Sequence, residues 1–569
     1  MNLKLKYAEL LSNHVDLALD EIKNLIEIPP DSKMGDLAFP CFSLAKKLKN
    51  SPVKIAESIS GSLEKLPLFK EVKNIGPYVN AFVDPSFIAH GILSEIAENG
   101  SGYSSQPENG KNVVVDFSSP NIAKPLAIHH LRSTMIGNSI SQLYSKMGYN
   151  VIKLNYLGDW GTQFGKLIVA YNKWGSEVEG ELTISKINEL YVKFSKESSE
   201  DNDLNDQARN WFKKLEEGNA EAIKLWKWFK EISLIEFEKI YKKLGITFDV
   251  YGGESEHAAS FLTVVEKCES LGISSISDGA LIVESEDEND PPCLIRKSDG
   301  ATTYEVRDIA ALLDRFDKYE FVKMFYVVGQ EQALHFKMLK MVVKKMGLAF
   351  SNDCEHISFG FMKFQGKSGS TREGTAILME DVLNTSVAEV RKRISESGSK
   401  RNISEEAIQQ IGIGAVVFGD LSKKRVKDSE FIWEEVTSFE GDTGPYLQYT
   451  QARCLSIVRK SNHDFMEQAD FSGLTEDSEK LVLLKLNQFS EAIINSANNC
   501  EPSLLANYLL ELAKFTNRFI HGGREEHSKR ILQESNLPLQ SARTALVHGI
   551  AIVLKEGLRL LGISSPEEM

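Results

Sequence analysis

The sequence of 569 residues contains few cysteines, and their positions argue against a cysteine-based metal site. None of them forms a CxxC pair or stands at finger-like spacing from histidines, so no structural zinc is expected. Cysteines scattered without a pairing pattern are typical of a reducing compartment, and we therefore expect a cytoplasmic protein. The six are Cys41, Cys268, Cys293, Cys354, Cys454 and Cys500.

Long apolar runs are also missing. No stretch approaches the roughly 18 consecutive apolar residues from which a membrane span is read. The first residues, MNLKLKYAEL, enter a charged amphipathic pattern without the apolar stretch and cleavage site of a secretory signal. The sequence therefore predicts neither a membrane segment nor a secretory leader.

Positive charge is in deficit, with 66 Lys and Arg against 80 Asp and Glu and a net charge of −14. This balance argues against a protein that coats nucleic acid through a broad basic surface, although a local basic groove remains compatible with it. Hydrophobic residues at 42% and charged residues at 26% are typical of a soluble globular protein. The length predicts several domains.

The pattern of predicted helices and strands divides the chain into three parts. Residues 1–110 mix amphipathic helices with a strand-like stretch at 72–84, and they end in a linker rich in turn-forming residues. Residues 111–395 alternate strands and helices around a charged helical insertion at about 176–245. Residues 396–569 show successive helical periods, which predict an all-helical bundle.

The middle part carries the pattern of a parallel sheet. NVVVDFSS is a short apolar run that ends in turn residues, a helix follows at about 128–147, and VIKLNYLGDWG returns as a strand and loop. Strand–helix–strand is typical of a right-handed parallel unit. We predict that the stretches at 293–310 and 325–330 supply further strands of the same sheet.

Two glycine motifs are not nucleotide fingerprints. GFMKFQGKS at 360–368 has five residues between its glycine at 360 and the Gly-Lys pair, where a P-loop has four. GIGAVVFG at 412–419 lacks a third small residue in register and has no strand before it. Neither stretch predicts phosphate binding.

The most informative stretch is VVVDFSSPNIAKPLAIHHLRSTMIGNSI at 113–140. A strand runs out into polar residues, and Lys124, His129 and His130 follow at the start of an apolar helix. Open parallel sheets bind ligands outside the carboxyl ends of their strands, and a helix amino terminus suits a phosphate. The alternative is a helix cap whose histidines form only local hydrogen bonds.

Within this stretch, SPNIAKPLAIHHLRST at 119–134 resembles the block of arginyl-tRNA synthetases that carries the class I "HIGH" element. The resemblance spans nearly the whole chain in the right order. Its other blocks are KMGDLAFPCFSLAKKL, NIGPYVNAFVD, LGDWGTQFG, YEVRDIA, YVVGQEQALHF, STREG, GDTGPYLQYTQARC and LKEGLRLLGI.

The resemblance implies an α/β fold with a class I, Rossmann-like parallel-sheet core. An amino-terminal α+β domain that binds tRNA would precede the core, and a helical anticodon-binding domain of the DALR type would follow it. The implied reaction is ATP-dependent activation of arginine to arginyl-adenylate and transfer to the 3′ end of tRNA(Arg). The implied partners are arginine, ATP with Mg²⁺, and tRNA(Arg), and we expect a monomer.

For arginine, the resemblance implies a pocket in which Asp308 accepts the guanidinium fork, because a carboxylate can pair with it bidentately. Tyr304 would stack or hydrogen-bond beside it, and Asn121 and Gln332 would hold the ammonium and carboxylate groups. The alternative for Asp308 alone is a carboxylate that stabilises a helix start. The full predicted set is Asp116, Ser118, Asn121, Tyr304, Asp308 and Gln332.

For ATP, the resemblance implies catalytic roles for Lys124, His129 and His130. The "HIGH" element reads AIHH, so His129 stands where the family has glycine, and its role stays open. The "KMSK" region reads SGST at 368–371 without a lysine, so either Lys124 or Lys367 would substitute. The full predicted set of ATP contacts is Lys124, His129, His130, Gly329, Ser370, Thr371 and Arg372.

For tRNA, the resemblance implies contacts by Tyr78, Asn80, Tyr446 and Gln448, although each of these is also explained by local packing. Two other functions stay open. A catalytically silent relative that only binds RNA is one, because both signature elements are altered. A class I synthetase for glutamine, glutamate or cysteine is the other, although this chain lacks the zinc ligands of the cysteine enzyme.

Overall fold

The computed structural model describes residues 2–63, 66–364, 377–396, 403–461, 464–533 and 535–569. Its amino-terminal part packs helices against a small antiparallel sheet with strand order β1-β3-β2. The elements of this part are α1 Leu3–Ser12, α2 Leu19–Leu25, β1 Leu37–Pro40, α3 Phe42–Leu48, α4 Pro52–Ser62, β2 Phe69–Ile75, β3 Tyr78–Val83 and α5 Pro85–Asn99.

The strand predicted at 72–84 is half of a hairpin. Gly76, with φ +58°, and Pro77 turn the chain in the middle of this stretch, and Ile75 pairs with Tyr78 across the turn. Glycine adopts a positive φ without steric cost, which lets the two strands pair directly. The strand predicted after the Gly-Pro turn is β3, and the strand before the turn, β2, was not predicted.

The middle part is built on a parallel sheet with strand order β11-β10-β4-β5-β6. Helices α8 to α10 lie within the predicted insertion. The elements are β4 Asn112–Asp116, α6 Ile128–Lys146, β5 Asn150–Leu157, α7 Thr162–Trp174, α8 Ile184–Glu197, α9 Asn202–Glu216, α10 Ala220–Lys243, β6 Val250–Gly253, α11 Phe261–Ser270, β7 Ser275–Ser277, β8 Ala280–Val283, β9 Cys293–Arg296, α12 Tyr304–Tyr319, β10 Lys323–Tyr326, α13 Ala333–Lys345, β11 Cys354–His356, β12 Met362–Phe364 and α14 Met379–Glu396.

The valine run of β4 explains its central position. Val113, Val114 and Val115 are fully buried, as expected for a parallel strand covered on both faces. Helix α6 packs closely on the end of this strand, because a Cβ at Gly137 would lie 2.3 Å from the side chain of Phe117. The close fit fixes the middle of α6 beside the carboxyl end of β4.

The prediction that residues 293–310 extend this sheet was wrong. Strand β9 belongs to a separate antiparallel sheet with order β7-β8-β9. A turn at Asp278 and Gly279, both with positive φ, pairs β7 with β8, and β9 adds to the same local sheet. The prediction for residues 325–330 was right, because β10 pairs in parallel with β4.

The carboxyl-terminal part is helical. Of the helices in the described residues, α22 has the length and hydropathy of a membrane span, but 72% of its most apolar window is buried inside the protein, as in the core helix of a bundle. The elements are α15 Glu405–Leu421, β13 Ser429–Phe431, α16 Trp433–Val436, α17 Gly444–Lys460, α18 Phe465–Gln468, α19 Asp477–Asn487, α20 Phe489–Asn498, α21 Pro502–Glu525 and α22 Leu537–Leu560.

Contacts between the three parts are extensive. One hydrophobic cluster contains residues from all of them. Arg132 on α6 pairs with Asp420 on α15 at 2.8 Å, with both side chains 1% exposed. Strand β13 of the helical part pairs in parallel with β12 of the middle part. The helical part therefore meets the sheet at the amino end of α6.

Candidate active site at the carboxyl edge of the sheet

The loop between β4 and α6 holds an unusual backbone conformation. Ser118, Ser119 and Ala123 have φ of +71°, +43° and +65°. None of them is glycine, so this left-handed conformation costs about 1–3 kcal/mol at each residue. Buried hydrogen bonds hold the loop in place. The Ser118 N–H donates to Ser133 Oγ at 2.9 Å, and the Ala123 N–H donates to Ser233 Oγ at 2.8 Å. The strain is typical of a preorganised binding loop.

The two histidines lie at the amino end of α6, with ring centroids 4.0 Å apart. His130 Nδ1 accepts a hydrogen bond from the Ala127 N–H at 3.0 Å, so in the neutral ring Nε2 carries the hydrogen. Burial lowers the pKa of His130 well below its ordinary value, and burial also lowers that of His129. Both rings are therefore neutral near pH 7, and His130 offers a neutral N–H donor.

Lys124 supplies a positive charge near the two histidines. Its ammonium lies 5.1 Å from the ring centroid of Tyr191 on helix α8, and its charge contributes to lowering the pKa of both histidines. The insertion thus contributes directly to the loop region. The structure brings together the three residues predicted to be catalytic.

Gly329 follows β10, the neighbour of β4, at the same edge of the sheet. It is buried and forms a parallel bridge with Phe359. A Cβ at this position would lie 2.4 Å from the carboxylate of Glu331, so that side chain would have to move. The other predicted ATP contacts, Ser370, Thr371 and Arg372, lie outside the described residues, as does Lys367.

The acidic side of the cleft begins at helix α12. Asp308 Oδ2 lies 2.6 Å from His335 Nε2, and the Asp308 side chain keeps 29% of its surface exposed. Tyr304 is 65% exposed, and the guanidinium of Arg307 lies 4.8 Å from its ring centroid. The structure therefore places an accessible ring and an accessible carboxylate one helical turn apart.

Two more carboxylates lie close to Asp308. Glu254 follows β6 and pairs with Arg307 at 2.9 Å, while Asp116 ends β4 and pairs with Arg315 at 3.0 Å. Burial raises the pKa of Glu254 to about 7 although Arg307 opposes this, and the charge of Asp308 contributes to the rise. Burial and the charge of Asp308 likewise raise the pKa of Asp116 against the effect of Arg315. Three carboxylates at this edge of the sheet therefore influence one another.

The remaining predicted arginine contacts divide into exposed and internal residues. Asn121 and Gln332 are exposed at the cleft. Asp116 and Ser118 are buried, and the Ser118 hydroxyl shares a 2.7 Å hydrogen bond with Tyr241. Among the described residues, no three His, Cys, Asp or Glu side chains converge as they would on a metal ion.

Glu254, Arg307 and His335 were not selected from the sequence. The available signal for Glu254 was its position directly after a strand that ends in two glycines, at the edge where parallel sheets bind ligands. His335 lies in the first turn of α13 and faces α12 only because the two helices pack together. No local pattern reports that packing.

The four predicted tRNA contacts also differ in accessibility. Tyr78 is half-buried against Phe42, and Tyr446 is half-buried with its hydroxyl accepting from Asn517 Nδ2 at 2.9 Å. Asn80 and Gln448 are buried at 3% and 0% exposure. Gln448 Nε2 donates to the carbonyls of residues 410 and 564, and Asn80 Nδ2 donates to the carbonyl of residue 34. The side-chain amides of Asn80 and Gln448 therefore link backbone segments inside the protein.

Comparison with sequence profiles of known families covers most of the chain. The profile described as tRNA synthetases class I (R), catalytic domain, matches residues 92–433. The DALR anticodon binding domain matches residues 447–569, and the arginyl tRNA synthetase N terminal domain matches residues 2–83. The fold and the catalytic-domain profile together define a class I aminoacyl-tRNA synthetase.

Similar proteins specify the class further. Arginine–tRNA ligases of Exiguobacterium sibiricum and Clostridium kluyveri are 43% and 44% identical over 573 residues, with complete coverage of both chains. The solved arginyl-tRNA synthetases of Thermus thermophilus and Plasmodium falciparum share the fold, at TM-scores of 0.82 and 0.81 and 23% identity. They cover 100% of this chain, which covers 99% and 98% of theirs. The chain belongs to the arginyl-tRNA synthetase family, which confirms the predicted fold class and resemblance.

Proposed function

We propose that the chain activates arginine with ATP and transfers the arginyl group to the 3′ end of tRNA(Arg), as a monomer in the cytoplasm. The observation that carries this proposal is the set of interacting carboxylates Asp116, Glu254 and Asp308, at the same edge of the parallel sheet as the Lys124–His130 cluster. The carboxylates suit a cationic side chain, and the Lys124–His130 cluster suits phosphates. One edge of one sheet thus offers sites for both substrates of the activation step.

On the arginine side, Asp308 accepts the guanidinium, whose planar fork presents several N–H donors at once. The exposed ring of Tyr304 covers a face of the fork, and Asn121 and Gln332 bind the ammonium and carboxylate groups. Lysine has no fork and would leave acceptors unpaired, which can reject an analogue by orders of magnitude. Asp116 and Ser118, being buried, support the pocket from within.

On the ATP side, the arginine carboxylate attacks the α-phosphate, a new C–O–P linkage forms, and the bond to the β-phosphate breaks with loss of pyrophosphate. Lys124 and the His130 N–H stabilise the charge that develops on the phosphate oxygens. Gly329 permits close approach of the nucleotide. Ser370, Thr371 and Arg372 complete the nucleotide contacts, and magnesium enters with ATP as part of the substrate.

On the RNA side, a cleft of about 780 Å³ lies between α17 and α21. Tyr449 is exposed on its wall, and the basic side chains around it suit phosphates and unstacked bases. This local charge is compatible with the net charge of −14. The basic side chains are Arg453, Arg459, Lys460, Arg524 and Arg530.

The test is arginine-dependent exchange of pyrophosphate into ATP, measured with and without tRNA(Arg) and with each amino acid in competition. We expect exchange with arginine and at least a thousandfold weaker use of lysine, since the fork is the recognised group. Absence of exchange at every RNA concentration would indicate a silent RNA-binding relative. Preferential use of glutamine, glutamate or cysteine would assign the chain to another class I synthetase.

A further inference from the structure

Each carboxylate of the cleft has its own internal cation. Asp116 pairs with Arg315 at 3.0 Å, Glu254 pairs with Arg307 at 2.9 Å, and Asp308 pairs with His335 at 2.6 Å. The first two cations are guanidinium groups, which do not lose their charge in proteins. The third is an imidazole, which can lose its proton and its charge near neutral pH. The three pairs therefore differ in whether the internal charge can leave.

The His335 ring is placed to be protonated in this state of the protein. Nε2 lies 2.6 Å from Asp308, and Nδ1 lies 3.7 Å from Glu305. A ring with a carboxylate near each nitrogen is stabilised as the doubly protonated cation. The side chain is 16% exposed, so water screens the interaction only in part. His335 thus holds a positive charge at the carboxylate predicted to take the substrate.

We propose that His335 is a positioning residue that occupies Asp308 in the absence of substrate and gives up its proton when the guanidinium of arginine arrives. This inference rests on the proposed function, because it takes Asp308 as the acceptor of the guanidinium. The proton leaves His335 for solvent, and the neutral ring then fixes one oxygen of Asp308. This exchange discriminates against amino acids with uncharged side chains, because a ligand without a cation cannot displace the charge of His335.

Burial favours the neutral ring, but hydrogen bonds to Asp308 and Glu305 outweigh burial and raise the pKa of His335 to about 9. A second cation at Asp308 lowers that pKa. Arginine binding therefore releases a proton, and the affinity for arginine increases as the pH rises toward 9, by at most about tenfold per pH unit for one proton.

Titratable groups from more than one element lie near the His335 ring. Glu305 and Asp308 face the ring from α12, and both stabilise its protonated form. His356, at the end of β11, stacks on Phe336 rather than on His335, and burial lowers its pKa. Glu254 titrates near pH 7, so a measurement at pH 8 or above separates its contribution from that of His335.

The experiment is isothermal titration calorimetry of the full chain with arginine at pH 8, in two buffers of different ionisation enthalpy. The difference between the buffers gives the number of protons released. We expect the unmodified chain to release a substantial fraction of one proton, His335→Gln to release none from this source, and His356→Gln to match the unmodified chain. The arginine KM in pyrophosphate exchange should decrease between pH 8 and pH 9 more steeply in the unmodified chain than in His335→Gln.

Equal proton release and equal pH slopes in the unmodified chain and in His335→Gln would overturn the inference. If that variant does not fold, His335→Asn replaces it. The unmodified chain also tests the proposal without any variant, since arginine binding without proton release at pH 8 contradicts it. A chain that neither binds arginine nor exchanges pyrophosphate with it would instead refute the proposed function. The two failures are therefore distinguishable.

Discussion

At the residue scale, recognition depends on carboxylates that are accessible yet incompletely hydrated. The side chain of Asp308 is 29% exposed, whereas that of Asp116 is 6% exposed and is paired with Arg315. A buried pair of this kind shapes the pocket, because removing either partner leaves an uncompensated charge. The accessible carboxylate is the one that can exchange its partner for a substrate.

Asp308→Asn should greatly weaken the use of arginine while the fold is retained. The amide keeps the shape but loses the charge that a guanidinium requires, a loss of about 2–4 kcal/mol, or about 30- to 1,000-fold in kcat/KM for arginine. Steady-state pyrophosphate exchange measures it. Asp317→Asn, an exposed position on the same helix, is the matched control and should behave as the unmodified chain. Unchanged kinetics in Asp308→Asn would remove this residue from the pocket.

At the element scale, the cleft is formed by loops that follow neighbouring strands. The loop after β4 and the loop after β5 meet where Asn121 and Gly158 form a parallel bridge. The Gly158 N–H donates to the carbonyl of Pro120, and the Ile122 N–H donates to that of Gly158. The two loops therefore act as one unit, and a change in either moves the other.

Gly158→Ala should reduce activity more than stability. The new Cβ would lie 2.1 Å from Asn121 Oδ1 and only 3.5 Å from its Cα, so the amide must turn away from its present position. We expect kcat/KM for arginine to decrease about 10- to 100-fold, as for other small misplacements of a binding group. Asn121→Ala should give a similar decrease.

The control for this prediction is Gly61→Ala in helix α4. Nothing lies within 4 Å of the Cβ built at Gly61, so this variant should keep full activity. Arginine kinetics and thermal unfolding of Gly158→Ala, Asn121→Ala and Gly61→Ala measure the effects on activity and on stability. Normal arginine kinetics in Gly158→Ala would show that the two loops do not position Asn121.

At the scale of the whole molecule, the helical part is attached to the active-site helix through buried charge. Arg132 bonds to Asp420 at 2.8 Å, and its NH1 donates to the carbonyls of Gly360 and Lys427. Gly360 comes directly before the segment that leads to β12. One side chain therefore joins α6, the chain before β12 and the helical part.

Arg132→Met should destabilise the protein by about 3–5 kcal/mol, because it leaves the carboxylate of Asp420 buried without its cation. The double variant Arg132→Met/Asp420→Leu should recover much of that loss, since two apolar side chains leave no unpaired charge. Guanidinium unfolding followed by circular dichroism measures both. Arg209→Met, which removes a surface pair 67% exposed at the arginine, should leave stability unchanged. Equal stability of the single variant and the unmodified chain would contradict the prediction.

The sequence by itself determined the local elements, the parallel core and the family. The valine run of β4, the helix at 128–146 and the helical periods after 400 follow from periodicity, and the motif blocks led to the prediction that Tyr304 and Asp308 contact arginine. Local pattern suffices for these because hydrophobic spacing reflects which face of an element is buried.

Only the tertiary structure decided which charges meet. Residues 254 and 308 come together because β6 and α12 lie at one edge of the sheet, and 308 meets 335 because α12 packs beside α13. The same packing buries Asn80 and Gln448 and assigns β9 to a separate sheet. Pairings between distant segments depend on three-dimensional packing and on the burial that changes the pKa of each group, and the spacing of residues along the chain encodes neither.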